Sequence, residues 1–300
     1  MMAAAHIALF VLLGPLLVGV VRKTKAFLSC RQGAPVFQPY LDLWKLFRRG
    51  IVRSTTASWV FDLSAPVVLG ATLVLAAATP LWSREVPLPM HFILFLYLMA
   101  LPRFFQTLAG LDTGSAFGGL GASREVAVSA MAEPALILSF CGLAYLGGAD
   151  TVSGMVAGLP AGRVFWRPEV ILLSGTMFLL LLAENTRIPV DDPATHLELT
   201  MIHEAMVLDH AGVDLAMIQL ASGVRLVLFS SLVSGILSPE TLSLPPFLAV
   251  PATVVKVVLS GAVIGATEAG MARMRLSRIA SYLLIATVLA AIALAVRFAG

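Results

Sequence analysis

Residues 184–214, ENTRIPVDDPATHLELTMIHEAMVLDHAGVD, form a polar segment around which the chain is organised, with long apolar segments on both sides of it. Its acids and histidines are seven carboxylates and three imidazoles: Glu184, Asp191, Asp192, Glu198, Glu204, Asp209, Asp214, His196, His203 and His210. Ionisable groups close to a membrane usually mark an ion pathway or a binding site. A solvated loop between two membrane helices is also polar, so both interpretations stand at this point.

The composition predicts an all-α integral membrane protein. Of the 300 residues, 59% are hydrophobic and 12% are charged, whereas soluble domains carry about 25% charged residues. The basic residues lie beside apolar segments, where membrane topology explains them, and nucleic-acid binding is therefore not predicted. The two cysteines form neither a disulfide framework nor a paired metal motif.

About eight membrane-spanning helices are predicted, in a single polytopic domain covering residues 1–300. A span needs roughly 20 apolar residues, and the predicted spans are 4–21, 59–81, 88–110, 123–147, 168–188, 214–237, 248–268 and 278–297. The first is expected to be a retained span and not a signal peptide. The fifth has a short charge-free run and is expected inside the bundle. Fourteen of the 20 lysines and arginines lie in or close to the segments that follow odd-numbered spans, which predicts that these loops are cytoplasmic and that both termini face out.

The first cytoplasmic loop, 22–56, contains an amphipathic segment at 36–49. Aromatic residues recur there at helical spacing, and the residues expected to matter for docking or for entrance of a hydrophobic substrate are Gln38, Pro39, Tyr40, Trp44 and Lys45. Pro39 suits the first turn of a helix. The segment predicts a helix lying in the membrane plane, either as a simple surface anchor or as an entrance for a hydrophobic molecule.

Further predictions concern spans four to seven. The glycine-rich run 114–121 lacks phosphate-binding spacing and is expected to be a flexible connection. Glu133 is expected to face the protein interior, as a proton carrier or a structural hydrogen-bonding group. Arg225 and Lys256 lie within spans, and their expected partners are Glu133, Glu184 and Glu268.

The polar stretch itself predicts three local features. Glu184 and Arg187 are spaced i, i+3 and can pair on one helix face. Asp192 can cap a helix at about 193–208, which places His196 and His203 on one stripe. These histidines are expected either to form structural hydrogen bonds or to relay protons with pKa values near neutrality.

These residues resemble the complex I subunit 1 family, which includes the membrane subunit of NADH:quinone oxidoreductase and the anchor of group 4 membrane-bound [NiFe]-hydrogenases. Residues 184–191, ENTRIPVD, resemble its Glu-Thr-Asn-Arg-Ala-Pro-Phe-Asp run, and residues 38–46, QPYLDLWKL, resemble its Gln-Pro motif. Glu133 falls where the family has a glutamate. Residues 191–206, DDPATHLELTMIHEAM, are closer to the hydrogenase branch, in particular to formate hydrogenlyase subunit 4.

The resemblance implies a membrane subunit that docks a peripheral electron-transfer arm and couples its redox chemistry to proton or sodium movement. The implied ion-coupling residues are Glu133, Glu184, Asp191, Glu198, Glu204, Asp209, Glu268, His196 and His203, with Arg187, Arg225 and Lys256 balancing charge. The chain itself is expected to bind no metal or cofactor. The [NiFe] centre and iron–sulfur clusters are expected in hydrogenase-like large and small subunits and iron–sulfur subunits, beside antiporter-like membrane subunits, in the cytoplasmic membrane.

Three alternatives remain open from the sequence. In a quinone-reducing complex, the same surface would form much of a quinone chamber. A stand-alone secondary transporter would bind substrate in the polar stretch, although no internal repeat supports this. A passive membrane anchor would hold an oxidoreductase without ion coupling.

Overall fold

The computed structural model describes residues 2–159, 167–191 and 201–299. Over these residues the chain forms eleven α-helices and, as its only β interaction, an isolated bridge between His91 and Thr151. The helices are α1 (Met2–Leu28), α2 (Gln38–Phe47), α3 (Trp59–Ala78), α4 (Phe92–Asp112), α5 (Ala116–Gly147), α6 (Val152–Ala157), α7 (Pro168–Glu184), α8 (His203–Val207), α9 (Gly212–Leu237), α10 (Pro246–Gly270) and α11 (Leu276–Ala299). A 3₁₀ helix, Pro239–Ser243, precedes α10.

Seven of the described helices are long and apolar enough to cross a membrane, namely α1, α3, α4, α5, α9, α10 and α11. The predicted fifth span corresponds to α7, whose 17 residues extend only about 26 Å. It ends at Glu184 and not at 188, and it packs against α5, α9 and α11 with most of its side chains buried. The all-α membrane fold and the interior position of the fifth span are confirmed.

Helix α9 lies at the centre of the bundle and is the most buried of the seven long helices. It packs against α1, α3, α7 and α10, and most of its residues, including Asp214 and Arg225, are buried. Gly223 lets α9 approach α1 closely, because a Cβ atom on Gly223 would lie 3.1 Å from the carbonyl carbon of Gly14 in α1.

Helix α5 begins at Ala116, seven residues before the predicted span, so the expected flexible connection at 114–121 is wrong from Ala116 onward. Ser115 caps this helix by accepting a hydrogen bond from the Gly118 backbone N–H at 3.0 Å. A Cβ atom on Gly118 would lie 2.1 Å from the Gly110 carbonyl oxygen of α4. The glycines therefore permit close helix packing, as small residues do in membrane proteins.

Most of the charged residues that the structure describes lie at one end of the bundle, which we call the polar end. Helices α1, α4, α7 and α10 end there, and α3, α5, α9 and α11 begin there. At the opposite end, α1 begins beside the end of α3, and α11 ends beside the end of α5. The start of α1 and the end of α11 thus lie at the same end of the bundle.

Helix α2 confirms the amphipathic helix predicted in the first loop, with Pro39 in its first turn. Leu41 and Trp44 are more than half exposed, whereas Asp42 and Leu43 face the bundle. The loop before α2 is shorter than predicted, because α1 continues to Leu28 and carries Arg22 and Lys25 on its last turns.

Candidate functional site

A buried ion pair joins α4 to α7 at the polar end. Arg103 donates from Nη1 to Glu184 Oε1 at 2.9 Å, and both side chains are less than one-tenth exposed. Glu184 is the last residue of α7, where the negative end of the helix dipole disfavours a carboxylate. The guanidinium of Arg103 offsets this unfavourable position and accounts for the burial of Glu184.

A second buried carboxylate, Glu268 at the end of α10, has cations on both of its oxygens. Arg187 Nη1 lies 3.4 Å from Oε1, and Lys25 Nζ lies 3.5 Å from Oε2. Thr186 has φ of +49°, in the left-handed region that non-glycine residues rarely adopt, within the turn that places Arg187 against α10. The prediction that Glu184 pairs with Arg187 on one helix face is therefore wrong. Glu184 pairs with Arg103 and Arg187 with Glu268, and each partner is 81 residues away in the sequence.

Asp191 connects the turn after α7 to α8 and to the segment before α11. Its Oδ1 atom lies 2.9 Å from Arg273 Nη2. Its Oδ2 atom accepts hydrogen bonds from the backbone N–H groups of Ile202 and His203 at 3.2 and 3.3 Å. Asp191 therefore holds α8 and the segment before α11 together through its hydrogen bonds as well as its charge. Hydrogen bonds to an ionised group are stronger than those between neutral groups.

Two more buried charges extend this cluster into the bundle. Glu125 on α5 and Arg225 on α9 are each 9% exposed, and both lie within electrostatic range of Glu184 and Arg103. The Nε atom of Arg225 is buried without a hydrogen-bond partner in the described part of the chain. We refer to Arg103, Glu125, Glu184 and Arg225 as the inner cluster.

A cavity of about 560 Å³ lies beside the inner cluster, between α1, α2, α8, α9 and the turn after α7. Its charged lining consists of five basic and three acidic residues: Arg22, Lys25, Lys45, Arg49, Arg187, Asp42, Glu204 and Glu268. Apolar side chains such as Leu43, Leu215 and Ile218 complete its wall. The volume is in the range of ligand-binding cavities, about 300–1,000 Å³.

His203 lies between this large cavity and a small one of about 10 Å³, because it lines both, as do Ile218 and Ser222. The small cavity is also lined by Thr72, Gln106, Ser222 and Arg225. A polar space of this size can hold about one water molecule. His203 therefore stands where a hydrogen-bonded connection can run from the large cavity to the inner cluster.

Burial changes the chemistry expected of the histidines. It lowers the pKa of His203 to about 3, assisted by the positive charge of Arg225, and it lowers the pKa of His210 to about 4. The expectation that His203 titrates near neutrality is therefore wrong. His210 stacks on Phe61 at 4.1 Å and contacts Ser64 Oγ through Nε2 at 3.2 Å. A neutral imidazole still offers one donor and one acceptor nitrogen.

Glu133 departs furthest from its predicted place. It was expected to face the protein interior, and instead its side chain is exposed on the outer surface of α5. The direction is wrong because a membrane helix is apolar on its lipid-facing and protein-facing sides alike. Glu125, about 80° away around the same helix, is the buried acid of α5.

Lys256 also differs from expectation, since its contacts are not to the predicted acids. Its Nζ atom donates to the Ser238 carbonyl oxygen at 2.9 Å and to the Thr241 hydroxyl. These groups lie in the connection between α9 and α10, at the opposite end of the bundle. Lys256 is thus separate from the inner cluster, and the predicted inward polar track does not include it.

The remaining predicted residues are distributed around the large cavity. Glu204 lines it, whereas Asp209 is exposed and accepts a hydrogen bond from Ser115 at 3.2 Å. Of the α2 residues, Pro39 and Lys45 line it, while Gln38 donates to Asp42 Oδ1 at 2.9 Å. Also on α2, Tyr40 donates a hydrogen bond to the Leu12 carbonyl oxygen, and Trp44 is exposed. Three residues predicted in the polar stretch lie outside the described residues: Asp192, His196 and Glu198.

Three features of the site were not predicted from the sequence: the burial of Glu125, the pairing of Arg103 with Glu184, and the pairing of Arg273 with Asp191. A local signal for Glu125 exists, because it continues the stripe of Gly118, Gly121 and Ala122 that packs against α4 and α8. Arg273 lies 82 positions from Asp191 in the numbering and has no such signal.

Comparison with known proteins gives a consistent assignment. The family model described as NADH dehydrogenase matches residues 1–299. Hydrogenase-4 component C of Escherichia coli (strain K12) is 33% identical, over 91% of this chain and 88% of that protein. Formate hydrogenlyase subunit 4 of the same organism is 32% identical, over 87% of each.

A solved structure shares the fold. A chain of the membrane-bound sulfane sulfur reductase, an archaeal respiratory membrane complex, aligns with a TM-score of 0.83 at 20% identity, covering 97% of this chain and 96% of that one. With a family match over nearly all 300 residues and two relatives above 30% identity, the protein belongs to the NADH dehydrogenase family of membrane subunits, as its resemblance to complex I subunit 1 implied.

Proposed function

We propose that the protein is the membrane subunit of a complex-I-like oxidoreductase of the hydrogenase type. Its polar end would bind the peripheral electron-transfer subunits and couple their redox chemistry to proton movement, with sodium as the alternative ion. The observation that carries the proposal is the inner cluster, whose buried acids and cations adjoin a charged cavity at one end of the bundle. Membrane-embedded ionisable groups of this kind commonly serve ion pathways.

The orientation follows from the same end of the molecule. Basic residues are concentrated there, including Arg22, Lys25, Arg49, Arg187 and Arg273. Lysine and arginine are enriched in cytoplasmic segments, so the polar end faces the cytoplasm in this proposal. Both termini then face the other side of the cytoplasmic membrane.

The route for a proton starts in the large cavity, which Glu204 and Glu268 line. From there it passes His203 and the small cavity to Glu125 and Glu184 of the inner cluster. His203 moves a proton by accepting it on one ring nitrogen and releasing one from the other. The cations Arg103 and Arg225 lie beside these carboxylates and balance their charge.

The hydrogenase branch is favoured by the names of the two relatives above 30% identity. In this proposal, large, small and iron–sulfur subunits of the peripheral arm carry the [NiFe] centre and the clusters, and antiporter-like subunits extend the membrane part. The cavity of about 560 Å³ beside the exposed face of α2 is the observation that favours the alternative, a quinone chamber.

A purification through a tag on this chain distinguishes the two. Mass spectrometry would identify the co-purifying subunits, followed by hydrogen evolution from reduced viologen and reduction of a short-chain quinone. Hydrogen evolution with nickel–iron and iron–sulfur subunits supports the proposal. Quinone reduction without hydrogen evolution moves the protein to the quinone branch. A chain that purifies alone and is inactive in both assays contradicts both.

Ion coupling is tested by Glu125→Gln in proteoliposomes containing the purified complex. Glu169→Gln is a matched control, because Glu169 is also 9% exposed but lies at the start of α7, at the opposite end. We expect Glu125→Gln to abolish proton movement while redox turnover and subunit composition persist, and Glu169→Gln to change neither. Equal proton movement per turnover in both variants would instead fit a passive anchor.

A further inference from the structure

The outer surface of α5 carries a carboxylate that this chain leaves unaccompanied. Glu133 is exposed, as are Pro134 beside it and Ile137 one turn later. Among the residues that the structure describes, Glu133 has neither a hydrogen-bond nor an ion-pair partner. Two other acids of the long helices, Glu125 and Glu268, are buried among cations.

Glu133 is also at membrane depth. It lies nine residues beyond Arg124 and fourteen before the end of α5 at Gly147, which places it about 14 Å and about 21 Å from these two points. A carboxylate at this depth is unfavourable in contact with lipid, and such residues normally face protein and pair with a donor. The isolated chain does not provide that environment.

The surface around Glu133 contains more small side chains than the other outer surfaces of the bundle. Exposed positions at 123, 127, 130 and 134 of α5 are serine, alanine, alanine and proline, beside the larger exposed side chains of Val126 and Ile137. The outer face of α11 instead exposes Leu284 and Ile285 by more than half, and that of α10 exposes Leu259. Small residues allow a second helix to approach closely within a membrane, whereas large aliphatic residues suit lipid chains.

We infer that this face of α5 is covered, in the assembled complex, by a transmembrane helix of a different membrane subunit that presents a lysine or arginine to Glu133. The inference rests on the proposed function, because a multisubunit complex supplies the second subunit. Charge complementarity selects this occupant. A second copy of the chain meeting the same face around a two-fold axis would oppose two carboxylates, which repel.

The contact can be mapped by photo-cross-linking in the intact complex. A photoreactive amino acid is placed at Ala130, and a control is placed at Leu284 on the outer face of α11. We expect the Ala130 probe to cross-link to an apolar segment of another membrane subunit, with a lysine or arginine within about one helical turn of the linked position. The Leu284 probe is expected to give no cross-link to that segment.

Charge reversal provides a second, independent test. Glu133→Lys should lower the amount of the cross-linked subunit that co-purifies by about tenfold or more, because like charges are then desolvated against each other. Changing the mapped lysine or arginine to glutamate in the Glu133→Lys background should restore it. Rescue by this exchange would not follow from a general folding defect.

Two results would overturn the inference. One is cross-linking from Ala130 to lipid alone or to a second copy of this chain. The other is an unchanged subunit composition in the Glu133→Lys complex. Either result, obtained while the unmodified chain still purifies within an active multisubunit complex, rejects this surface and leaves the proposed function standing. Failure of the unmodified chain to bring down any partner rejects the proposed function instead.

Discussion

The two ends of the bundle satisfy their buried charges in different ways. At the polar end, carboxylates pair with cations from distant helices, as Arg103 does with Glu184 at 2.9 Å. At the opposite end, Lys256 and His6 contact backbone carbonyl groups, those of Ser238 for the lysine and of Ala76 and Thr79 for the histidine. A side-chain partner can be removed by substitution or by protonation, whereas a carbonyl cannot. The polar end is thus the one whose charges depend on one another.

The largest effect is expected from breaking the Arg103–Glu184 pair. Arg103→Met leaves Glu184 buried without its nearest cation and should lower the free energy of unfolding by about 3–5 kcal/mol. The double variant Arg103→Met/Glu184→Leu should recover much of this loss, since an apolar pair of similar volume often replaces a buried ion pair without penalty. Denaturation in mixed detergent micelles measures both. A double variant as unstable as the sum of the two single variants would show that the residues do not act as a pair.

The features of the fold that could be predicted from the sequence are those that local sequence patterns determine. Aromatic spacing and the position of Pro39 predicted α2, and runs of apolar residues predicted the spans, including the short fifth one. These signals work because the helix period and the thickness of the bilayer constrain each segment by itself.

The partners of the charged groups could not be predicted in the same way. Arg103 and Glu184 are 81 residues apart, and no spacing rule connects residues on different helices. Glu133 and Glu125 illustrate the second difficulty, because the exposed and the buried acid lie on one apolar helix. In a soluble protein, the buried side of a helix is apolar and the solvent-facing side is polar, so a helical wheel identifies the buried side. In a membrane the outer side of the helix contacts lipid and is also apolar, so this difference is absent.

Acid is expected to weaken the polar end. The pKa values of His203 and His210 are lowered to about 3 and about 4, below about 6.5 in the unfolded chain. The unfolded chain then binds more protons as the pH falls below 6.5, so stability is complete above that pH and decreases toward pH 4. At pH 5.5 the loss should be about 1.4 kcal/mol for each histidine.

Unfolding free energies at pH 7.5 and 5.5 measure this difference. His203→Gln and His210→Gln should each reduce the loss between the two pH values. His91→Gln is the control, because His91 is exposed at the start of α4, at the opposite end. An unchanged pH dependence in both polar-end variants would mean that neither imidazole is kept neutral by folding.

The smallest effect is expected from Lys256→Met. The substitution removes two hydrogen bonds at a half-buried position, to the Ser238 carbonyl oxygen and the Thr241 hydroxyl, and should lower the free energy of unfolding by about 1 kcal/mol. Because Lys256 shares no partner with Arg103, the loss should add to that of Arg103→Met within about 0.5 kcal/mol. Glu184→Leu combined with Arg103→Met should instead depart from additivity by more than that. The non-additivity of the unfolding free energies could instead be as large for Lys256→Met with Arg103→Met as for Glu184→Leu with Arg103→Met. That result would show that the charges at the two ends depend on one another.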